Sequence, residues 1–146
     1  MPSANRAAAV TGPSPTDEPA AGHPVPGHPM IETISAVTLA TADMARAVAF
    51  YERLGFAVAS GGGGAAFTTL EAGRQRLNLT AESGHGTPGW WGRVIFHVAD
   101  VDASWRAVVA AGIETDFKPR DAPWGERYFH LTDPDGHELS FARPLE

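Results

Sequence analysis

The chain contains no cysteine, which excludes disulfides, thiol nucleophiles and thiolate metal sites. Basic residues are also few, with 11 Lys and Arg against 17 Asp and Glu and a formal net charge of −6. Since a nucleic-acid partner needs a basic face, this charge argues against one. No apolar run approaches the ~20 residues that span a bilayer, and the start of the chain lacks the apolar stretch of a secretory signal. We therefore expect a cytoplasmic protein with no membrane partner.

Aromatic residues, Leu and Ile are all missing from residues 1–29, which hold 7 of the 12 prolines. Such a segment buries too little apolar area to offset the entropy of ordering it, so a disordered Pro/Ala-rich tail is predicted there. A tail that docks on a partner or covers a pocket is the alternative. Residues 30–146 are then one domain, which is long enough to bury a core of its own.

A weak internal repeat with an offset of 57 residues divides this domain. Residues 37–44 (VTLATADM) align with residues 94–101 (VIFHVADV). Each copy has the alternation of a strand, followed by an aspartate, Asp43 or Asp100, where a helix N-cap belongs. The sequence therefore predicts repeat one over residues 30–81 and repeat two over 92–146. A linker rich in Gly and Trp joins them.

The same pattern of elements is predicted in both repeats, a strand, a helix and three further strands. The helices each show one apolar stripe at helical spacing, with Met44 and Val48 in the first and Val108 and Val109 in the second. The strands after the helices are expected at residues 56–60, 65–70, 75–80, 114–118, 126–132 and 138–142. This order predicts an α+β fold, in which two βαβββ modules form a curved, eight-stranded mixed sheet around a cavity. The predicted linker between the two modules occupies residues 82–91.

Residues 133–136 (DPDG) fix the register of the last hairpin, because a type I turn that ends in a left-handed Gly gives a bulged hairpin. Phe129 then faces Phe141, and His130 faces Ser140. Alternation places the apolar side chains on one face of the sheet and the polar ones on the other. The polar faces of the two modules are predicted to surround the cavity, and they carry Asn78, Arg93, His97, Glu126, Tyr128, His130, Glu138 and Ser140.

These segments resemble the vicinal oxygen chelate superfamily, which includes glyoxalases, bleomycin-binding resistance proteins, fosfomycin resistance enzymes, extradiol dioxygenases and methylmalonyl-CoA epimerase. The resemblance rests on residues 37–56, 97–113 and, above all, 124–144 (WGERYFHLTDPDGHELSFARP), and it covers essentially all of residues 30–146. It implies the paired-module fold. A homodimer is expected, and a monomer in which the two repeats close on each other is the alternative. The resemblance does not imply one chemistry, because these families share an architecture and differ in reaction.

The resemblance also assigns four metal-ligand positions, which are His or Glu in members with metal chemistry. In this chain they are Ala36, Asn78, Arg93 and Ser140, none of which is a good ligand for a divalent ion. No cofactor is therefore predicted. If the alignment shifts by two residues, His97 and Glu138 fall near ligand positions, and a divalent metal is the alternative.

Several side chains on the polar faces are candidates for chemistry or ligand binding. His130 beside a carboxylate such as Glu126 is suited to general acid–base catalysis, and a hydrogen-bonded pair in the wall is the alternative. Arg93 and His97 share a strand face and are suited to an anionic oxygen, although Arg93 is equally suited to pairing with Glu126 or Glu138.

Tryptophans on predicted loops are candidates for stacking on a planar ligand or for packing in a dimer interface. The ligand-binding residues expected are Asn78, Trp91, Arg93, His97, Trp124, Tyr128 and Ser140, with His130 and Glu126 as candidate catalytic residues. His85 and His137 are expected on the surface.

Two classes of function follow. The first is a metal-free, small-molecule-binding protein of the bleomycin-resistance type, which holds an aromatic or amphipathic ligand in the cavity. The second is an enzyme of the same architecture. A glyoxalase-like lyase or isomerase is favoured over a dioxygenase, and it is either metal-dependent through displaced ligands or metal-free through His130 and Glu126.

Overall fold

The computed structural model describes residues 30–86 and 89–146, and the predicted tail lies outside these residues. The two modules repeat the same order of elements, as predicted. The first module contains β1 (Ala36–Thr41), α1 (Met44–Leu54), β2 (Val58–Ser60), β3 (Phe67–Ala72) and β4 (Gln75–Ala81). The second contains β5 (Arg93–His97), α2 (Val101–Ala110), β6 (Arg120–Asp121), β7 (Glu126–Thr132) and β8 (Glu138–Pro144).

Each module forms one four-stranded mixed sheet. The strand orders are β1-β4-β3-β2 and β5-β8-β7-β6, so the two sheets have the same topology. The first strand of each module pairs in parallel with the last, and the other pairs are antiparallel. The α+β class is confirmed. Its eight strands are divided between two sheets that do not close into a barrel, because β1 and β5 are both edge strands in the described part of the chain.

Both helices begin directly after the predicted N-cap aspartates. The Asp43 carboxylate accepts a hydrogen bond from the Arg46 N–H, and that of Asp100 accepts one from the Ala103 N–H, both at 3.0 Å. These bonds satisfy backbone donors that have no partner within the helix. At the other end of α1, Gly55 has a φ of 106°, a left-handed conformation that favours glycine. No helix among the described residues is long and apolar enough to span a membrane.

The register of the last hairpin is also confirmed. Phe129 pairs with Phe141, and His130 pairs with Ser140. The rings of Phe129 and Phe141 stack with centroids 5.1 Å apart on the helix-covered face. The β7–β8 hairpin therefore has one apolar face and one polar face, as the alternation predicts.

The two modules share one hydrophobic core. Phe56 of the first module packs edge-on against Phe96 of the second, with ring centroids 5.2 Å apart. The turn between β7 and β8 reaches the first module as well, where Tyr51 donates a hydrogen bond to Asp133 at 2.6 Å. Asp135 accepts one from the Ala42 N–H at 2.9 Å. The modules are thus joined by apolar packing and by buried carboxylates.

Two predictions about the second module are wrong. Residues 114–118 are not a strand, and the edge strand is the short β6 that follows Pro119. Hydrogen bonds from Trp105 Nε1 to Thr115 Oγ1 (3.0 Å) and from the Asp116 N–H to the His130 carbonyl (2.8 Å) hold this segment as a loop over the sheet. Val109, predicted in the apolar stripe of α2, is 45% exposed.

Candidate functional site

The uncovered face of the second sheet, which we call the open face, carries most of the predicted functional side chains. Strand alternation places them there, because β5, β7 and β8 all direct their apolar residues toward the core. Tyr128 and Ser140 lie low in this face and are buried, whereas Ile95 and the neighbouring Trp124 are 55% and 66% exposed. The open face is formed by Arg93, Ile95, His97, Glu126, Tyr128, His130, Glu138 and Ser140.

Glu138 is the centre of one polar cluster on the open face. It is the register partner of Arg93 in the parallel β5–β8 pair, and Arg93 Nε donates a hydrogen bond to Glu138 Oε2. His130 Nδ1 lies 3.7 Å from the same oxygen. Arg93 also lies over Trp90, with Cζ 5.3 Å from the ring centroid. Of the two carboxylates proposed as partners for Arg93, the structure therefore selects Glu138.

The protonation states in this cluster follow from burial and charge. Partial burial, and then the positive charge of Arg93, lower the pKa of His130, while Glu138 and Asp116 oppose this shift. Partial burial by itself raises the pKa of Glu138. The hydrogen bonds from Arg93 and Trp90, together with the charges of Arg93 and His130, outweigh it and lower that pKa. Near neutral pH the cluster contains a neutral imidazole beside an ion pair, and the imidazole can accept a proton.

A second polar cluster surrounds Glu126. Its Oε1 accepts a hydrogen bond from Trp124 Nε1 at 3.0 Å, and its Oε2 lies 3.7 Å from His97 Nε2. Glu126 is thus held beside His97, and the carboxylate within 4 Å of His130 belongs to Glu138. The structure does not bring the two predicted catalytic residues together as a pair.

Aromatic rings form a wall along the open face. The rings of Tyr128, His130 and Phe117 lie with their centroids 5.0 to 5.3 Å apart, and Trp124 extends the wall at 5.5 Å from Tyr128. Arg120 lies against this wall, with Cζ 3.7 Å from the Phe117 centroid and Nε donating to the Tyr128 hydroxyl at 3.3 Å. The wall offers flat apolar surfaces together with fixed positive and negative groups.

Two predicted ligand-binding residues lie away from the open face. Asn78 is on β4 of the first sheet, where it is fully buried and donates a hydrogen bond to Thr38 Oγ1 at 3.2 Å. Trp91 belongs to the linker and lines a cleft of about 850 Å³ between the edge strands of the two sheets. Arg93 and His97 line this cleft too, so it leads to the edge of the open face.

The prediction that His137 lies on the surface is wrong, because this residue is only 4% exposed. Its Nδ1 accepts a hydrogen bond from Trp91 Nε1 at 2.9 Å, and its Nε2 lies 2.8 Å from the Ala40 carbonyl. Since Nδ1 acts as an acceptor, Nε2 carries the proton and donates to Ala40. The half-buried His85 stacks on the same ring at 5.4 Å. His137 therefore fastens the linker to β1.

The sequence analysis missed four residues that shape the open face. Asp116 and Phe117 fall in the predicted strand 114–118, Arg120 follows it, and Trp90 is one of the loop tryptophans for which only stacking or interface packing is expected. The hydrogen bond from the Asp116 N–H to the His130 carbonyl brings this loop to β7, and no periodicity signals such a long-range bond. The stacking of Arg120 on Phe117 had one weak sequence signal, a cation three residues after an aromatic.

Comparison with known proteins places the chain in a family. A family model, the Glyoxalase/Bleomycin resistance protein/Dioxygenase superfamily, matches residues 33–141, which is most of the chain. The protein therefore belongs to this superfamily, as the resemblance implied. A comparison with curated proteins found no match.

Solved structures agree with this assignment. A bleomycin resistance determinant encoded on the transposon Tn5 is 27% identical with a TM-score of 0.67, and the match covers 77% of this chain and 98% of that one. A bleomycin-binding protein complexed with bleomycin is 25% identical with a TM-score of 0.64, over the same shares of the two chains. TioX from Micromonospora sp. ML1 is 30% identical with a TM-score of 0.61, over 75% of this chain and 97% of that one.

The four positions that the resemblance assigns to metal ligands do not fit a metal ion. Ala36 and Ser140 offer a methyl group and a hydroxyl, and Arg93 carries a fixed positive charge that is engaged by Glu138. Asn78 offers an amide on the other sheet. His97, the alternative ligand, is paired with Glu126 and does not approach Glu138. These residues therefore do not form a donor set for a divalent ion.

Proposed function

We propose that the protein is a metal-free small-molecule-binding protein, and that an aromatic or amphipathic ligand lies on its open face. The observation that carries this proposal is the aromatic wall, in which Trp124 and Tyr128 stand beside the charges of Arg120 and Glu126. Flat apolar surfaces supply most of the contact area for such a ligand, and a few polar groups orient it. Small-molecule binding is further supported by the structural neighbour that is a bleomycin-binding protein complexed with bleomycin.

The predicted ligand-binding residues fall into two groups under this proposal. Trp124 stacks on the ligand with the buried Tyr128 packed behind it, Arg93 and His97 bind the polar groups of the ligand, and Ser140 lies at the base of the same face. The remaining two, Asn78 and Trp91, belong to the first sheet and to the linker. Trp91 lines the cleft that also contains Arg93 and His97, whereas Asn78 is buried in the first sheet and would need the first sheet of a second subunit to face the open face.

A homodimer is therefore part of the proposal. Ile34, Trp91 and Ile95 are 69%, 49% and 55% exposed, and they lie beside the unpaired edges of β1 and β5. Burying such side chains against a second copy would be favourable. Sedimentation equilibrium tests the assembly, and a monomer at tens of micromolar, in ~0.15 M salt, would contradict it. A cytoplasmic location completes the proposal, in line with the lack of cysteine.

The direct test of the proposal is a binding screen. We expect bleomycin or a planar aromatic dye to quench tryptophan fluorescence and to raise the melting temperature, because a ligand that binds only the folded state stabilises it. Trp124→Ala should weaken binding by ~10-fold or more while the unliganded melting temperature stays nearly unchanged, since the indole is largely exposed. Val109→Ala, on the exposed side of α2, is the matched control. A screen in which no compound moves either signal would refute the proposal.

The protonation state of His130 favours a second candidate, a lyase or isomerase of the glyoxalase type that works without metal. A neutral imidazole beside the Arg93 guanidinium is suited to removing a proton from a carbon next to a carbonyl that Arg93 polarises. His97 and Glu126 would be the second acid–base pair. If a substrate is found, His130→Ala should lower kcat by ~100-fold or more while the circular dichroism spectrum is retained. Unchanged turnover would remove His130 from the reaction.

A further inference from the structure

Three potential metal ligands converge beside the aromatic wall. The Asp116 carboxylate, a ring nitrogen of His130 and the Glu138 carboxylate all lie within 4.8 Å of one another, the one such group among the described residues. They come from the loop after α2, the middle of β7 and the start of β8. Asp116 and His130 occupy no ligand position that the family resemblance assigns, and Glu138 comes near one only in the alignment shifted by two residues.

The backbone holds these three residues in place. Glu138 pairs with Thr132 across the hairpin, so it lies one strand over from His130 and two residues further along, on the same face. The Asp116 N–H donates to the His130 carbonyl at 2.8 Å, which fixes the loop beside β7. The Phe117 ring, 5.2 Å from the imidazole, covers the other side. The donors therefore belong to a rigid sheet and to a loop that is fastened to it.

One imidazole and two carboxylates form a donor set for a borderline divalent ion such as Zn²⁺, Co²⁺ or Ni²⁺. Ligand bonds of ~2.0–2.2 Å bring donor atoms within ~3–4 Å of one another, so the cluster needs only a small contraction. The Asp116 carboxylate can move toward the other two donors, because its side chain is exposed.

A cation of the protein itself already sits in this cluster. Arg93 Nε is hydrogen-bonded to Glu138 Oε2, the same oxygen that lies 3.7 Å from His130 Nδ1. Trp90 lies against the guanidinium and holds it there. An ion bound by Glu138 and His130 would lie next to this fixed positive charge and would have to displace it. Repulsion between the Arg93 guanidinium and a neighbouring divalent ion would weaken metal binding. In a partly buried site the loss of affinity is several powers of ten at most, and it is ~100-fold with solvent screening.

We propose that Asp116, His130 and Glu138 form a divalent-cation site in which the Arg93 guanidinium takes the place of the ion. The native chain is thereby kept metal-free, and removal of the Arg93 charge opens the site. This inference goes beyond the proposed ligand binding and does not depend on it, because its test uses metal ions alone.

The experiment is a titration of the chelator-treated full chain with Co²⁺, followed by visible absorption and calorimetry. Arg93→Met, which keeps the volume of the side chain without its charge, should bind one equivalent of Co²⁺ at least ~100-fold more tightly than the native chain. The double variant Arg93→Met/His130→Ala should lose this binding. Arg120→Met is the matched control, since it removes a cation from the same wall without freeing Glu138, and it should tighten Co²⁺ binding far less than Arg93→Met does.

Two outcomes would overturn the inference. If Arg93→Met binds Co²⁺ no better than the native chain, and Arg93→Gln behaves alike with an unchanged circular dichroism spectrum, the three ligands are not a metal site. If the native chain itself takes up one tight equivalent, Arg93 does not stand in for the ion. A failed ligand screen would contradict the proposed function without affecting either result.

Discussion

The hydroxyl of Tyr51 is the best-defined polar contact between the two modules. Tyr51 is fully buried, and it donates to Asp133 Oδ2 at 2.6 Å. Tyr51→Phe should lower the free energy of unfolding by ~1–3 kcal/mol at pH 7, because the buried carboxylate loses a donor and gains no water in return. Urea unfolding of both proteins measures the difference. Equal midpoints would show that the contact contributes nothing to stability.

The Tyr51–Asp133 pair makes the free energy of unfolding depend on pH. Burial, and then the negative charge of Asp133, raise the pKa of Tyr51 far above its usual range. Because the pKa of Tyr51 is higher in the folded than in the unfolded protein, its hydroxyl contributes fully to the free energy of unfolding below the unfolded tyrosine pKa of ~10. This contribution is lost as the pH rises above that value. The stability difference between the native chain and Tyr51→Phe should therefore shrink between about pH 10 and pH 11.5. Other titrating groups are common to both proteins and cancel, so a difference that stays constant over this range would contradict the assignment.

Gly61, in the run of four glycines between β2 and β3, is a position where only glycine fits. Its φ is 87°, and a Cβ atom there would press on the backbone of Phe67 and Thr68. Thr68 Oγ1 also accepts a hydrogen bond from the Gly62 N–H at 2.9 Å, which holds the loop in this conformation. Gly61→Ala should thus lower the free energy of unfolding by ~1–3 kcal/mol.

Gly64, in the same run, is the internal control for this substitution. A Cβ on Gly64 meets nothing within 4 Å, and its φ lies outside the left-handed region. Gly64→Ala should therefore be neutral or should stabilise the protein by a few tenths of a kcal/mol, roughly, through the unfolded state. Thermal unfolding distinguishes the two variants, and similar losses in both would mean that the loop is sensitive to any side chain.

At the scale of the elements, the hairpin of β7 and β8 was predictable because its determinants are local. The turn at residues 133–136 fixes the register, and alternation then assigns each side chain to a face. The open-face positions of Arg93, His97 and His130 follow from this reasoning. The choice of Glu138 as the partner of Arg93 and His130 did not follow, because it depends on a side-chain rotamer and on which strand lies next to β8.

The loop between α2 and β6 was not predictable, because long-range contacts hold it in place. Residues 114–118 alternate charged residues with Thr115 and Phe117, as an exposed strand does, but hydrogen bonds to Trp105 and to the backbone of His130 hold them as a loop. The aromatic wall and the proposed cation site both depend on this loop, through Phe117 and Asp116. Buried His137 escaped prediction for the same reason, since both of its partners, Trp91 and Ala40, lie far away in the sequence.

Thr115 allows the attachment of this loop to be tested. Its hydroxyl accepts from Trp105 Nε1 at 3.0 Å and donates to the Phe117 carbonyl at 3.3 Å. Thr115→Val keeps the shape and removes both bonds, so amide hydrogen exchange across residues 114–121 should accelerate, and the free energy of unfolding should fall by ~1–2 kcal/mol. Thr132→Val, at an exposed position of β7, is the matched control. Unchanged exchange in Thr115→Val would mean that other contacts hold the loop.

At the scale of the whole molecule, the shared core makes the two modules a single cooperative unit. Phe56 and Phe96 join their apolar faces, and Asp135 of the second module accepts hydrogen bonds from the Ala42 N–H and from Arg46 Nη2 in the first, both at 2.9 Å. Neither sheet can bury its helix-covered face in the observed way without the other module. We therefore expect one calorimetric unfolding transition. We also expect the most slowly exchanging amides of both sheets to exchange through the same unfolding of the whole protein.

Asp135→Ala tests this coupling, because Asp135 belongs to the second module while its donors Ala42 and Arg46 belong to the first. The substitution leaves the Ala42 N–H without its acceptor and should lower the free energy of unfolding by ~1–3 kcal/mol. Exchange of the slowest amides should accelerate equally in β4 and in β8, since both report the same opening. Asp102→Ala removes the contact of Arg127 with α2, which lies within the second module, and it serves as the local control. If Asp135→Ala accelerates exchange only around the β7–β8 turn, the modules open independently, and a cavity that depends on both of them would lack a fixed geometry.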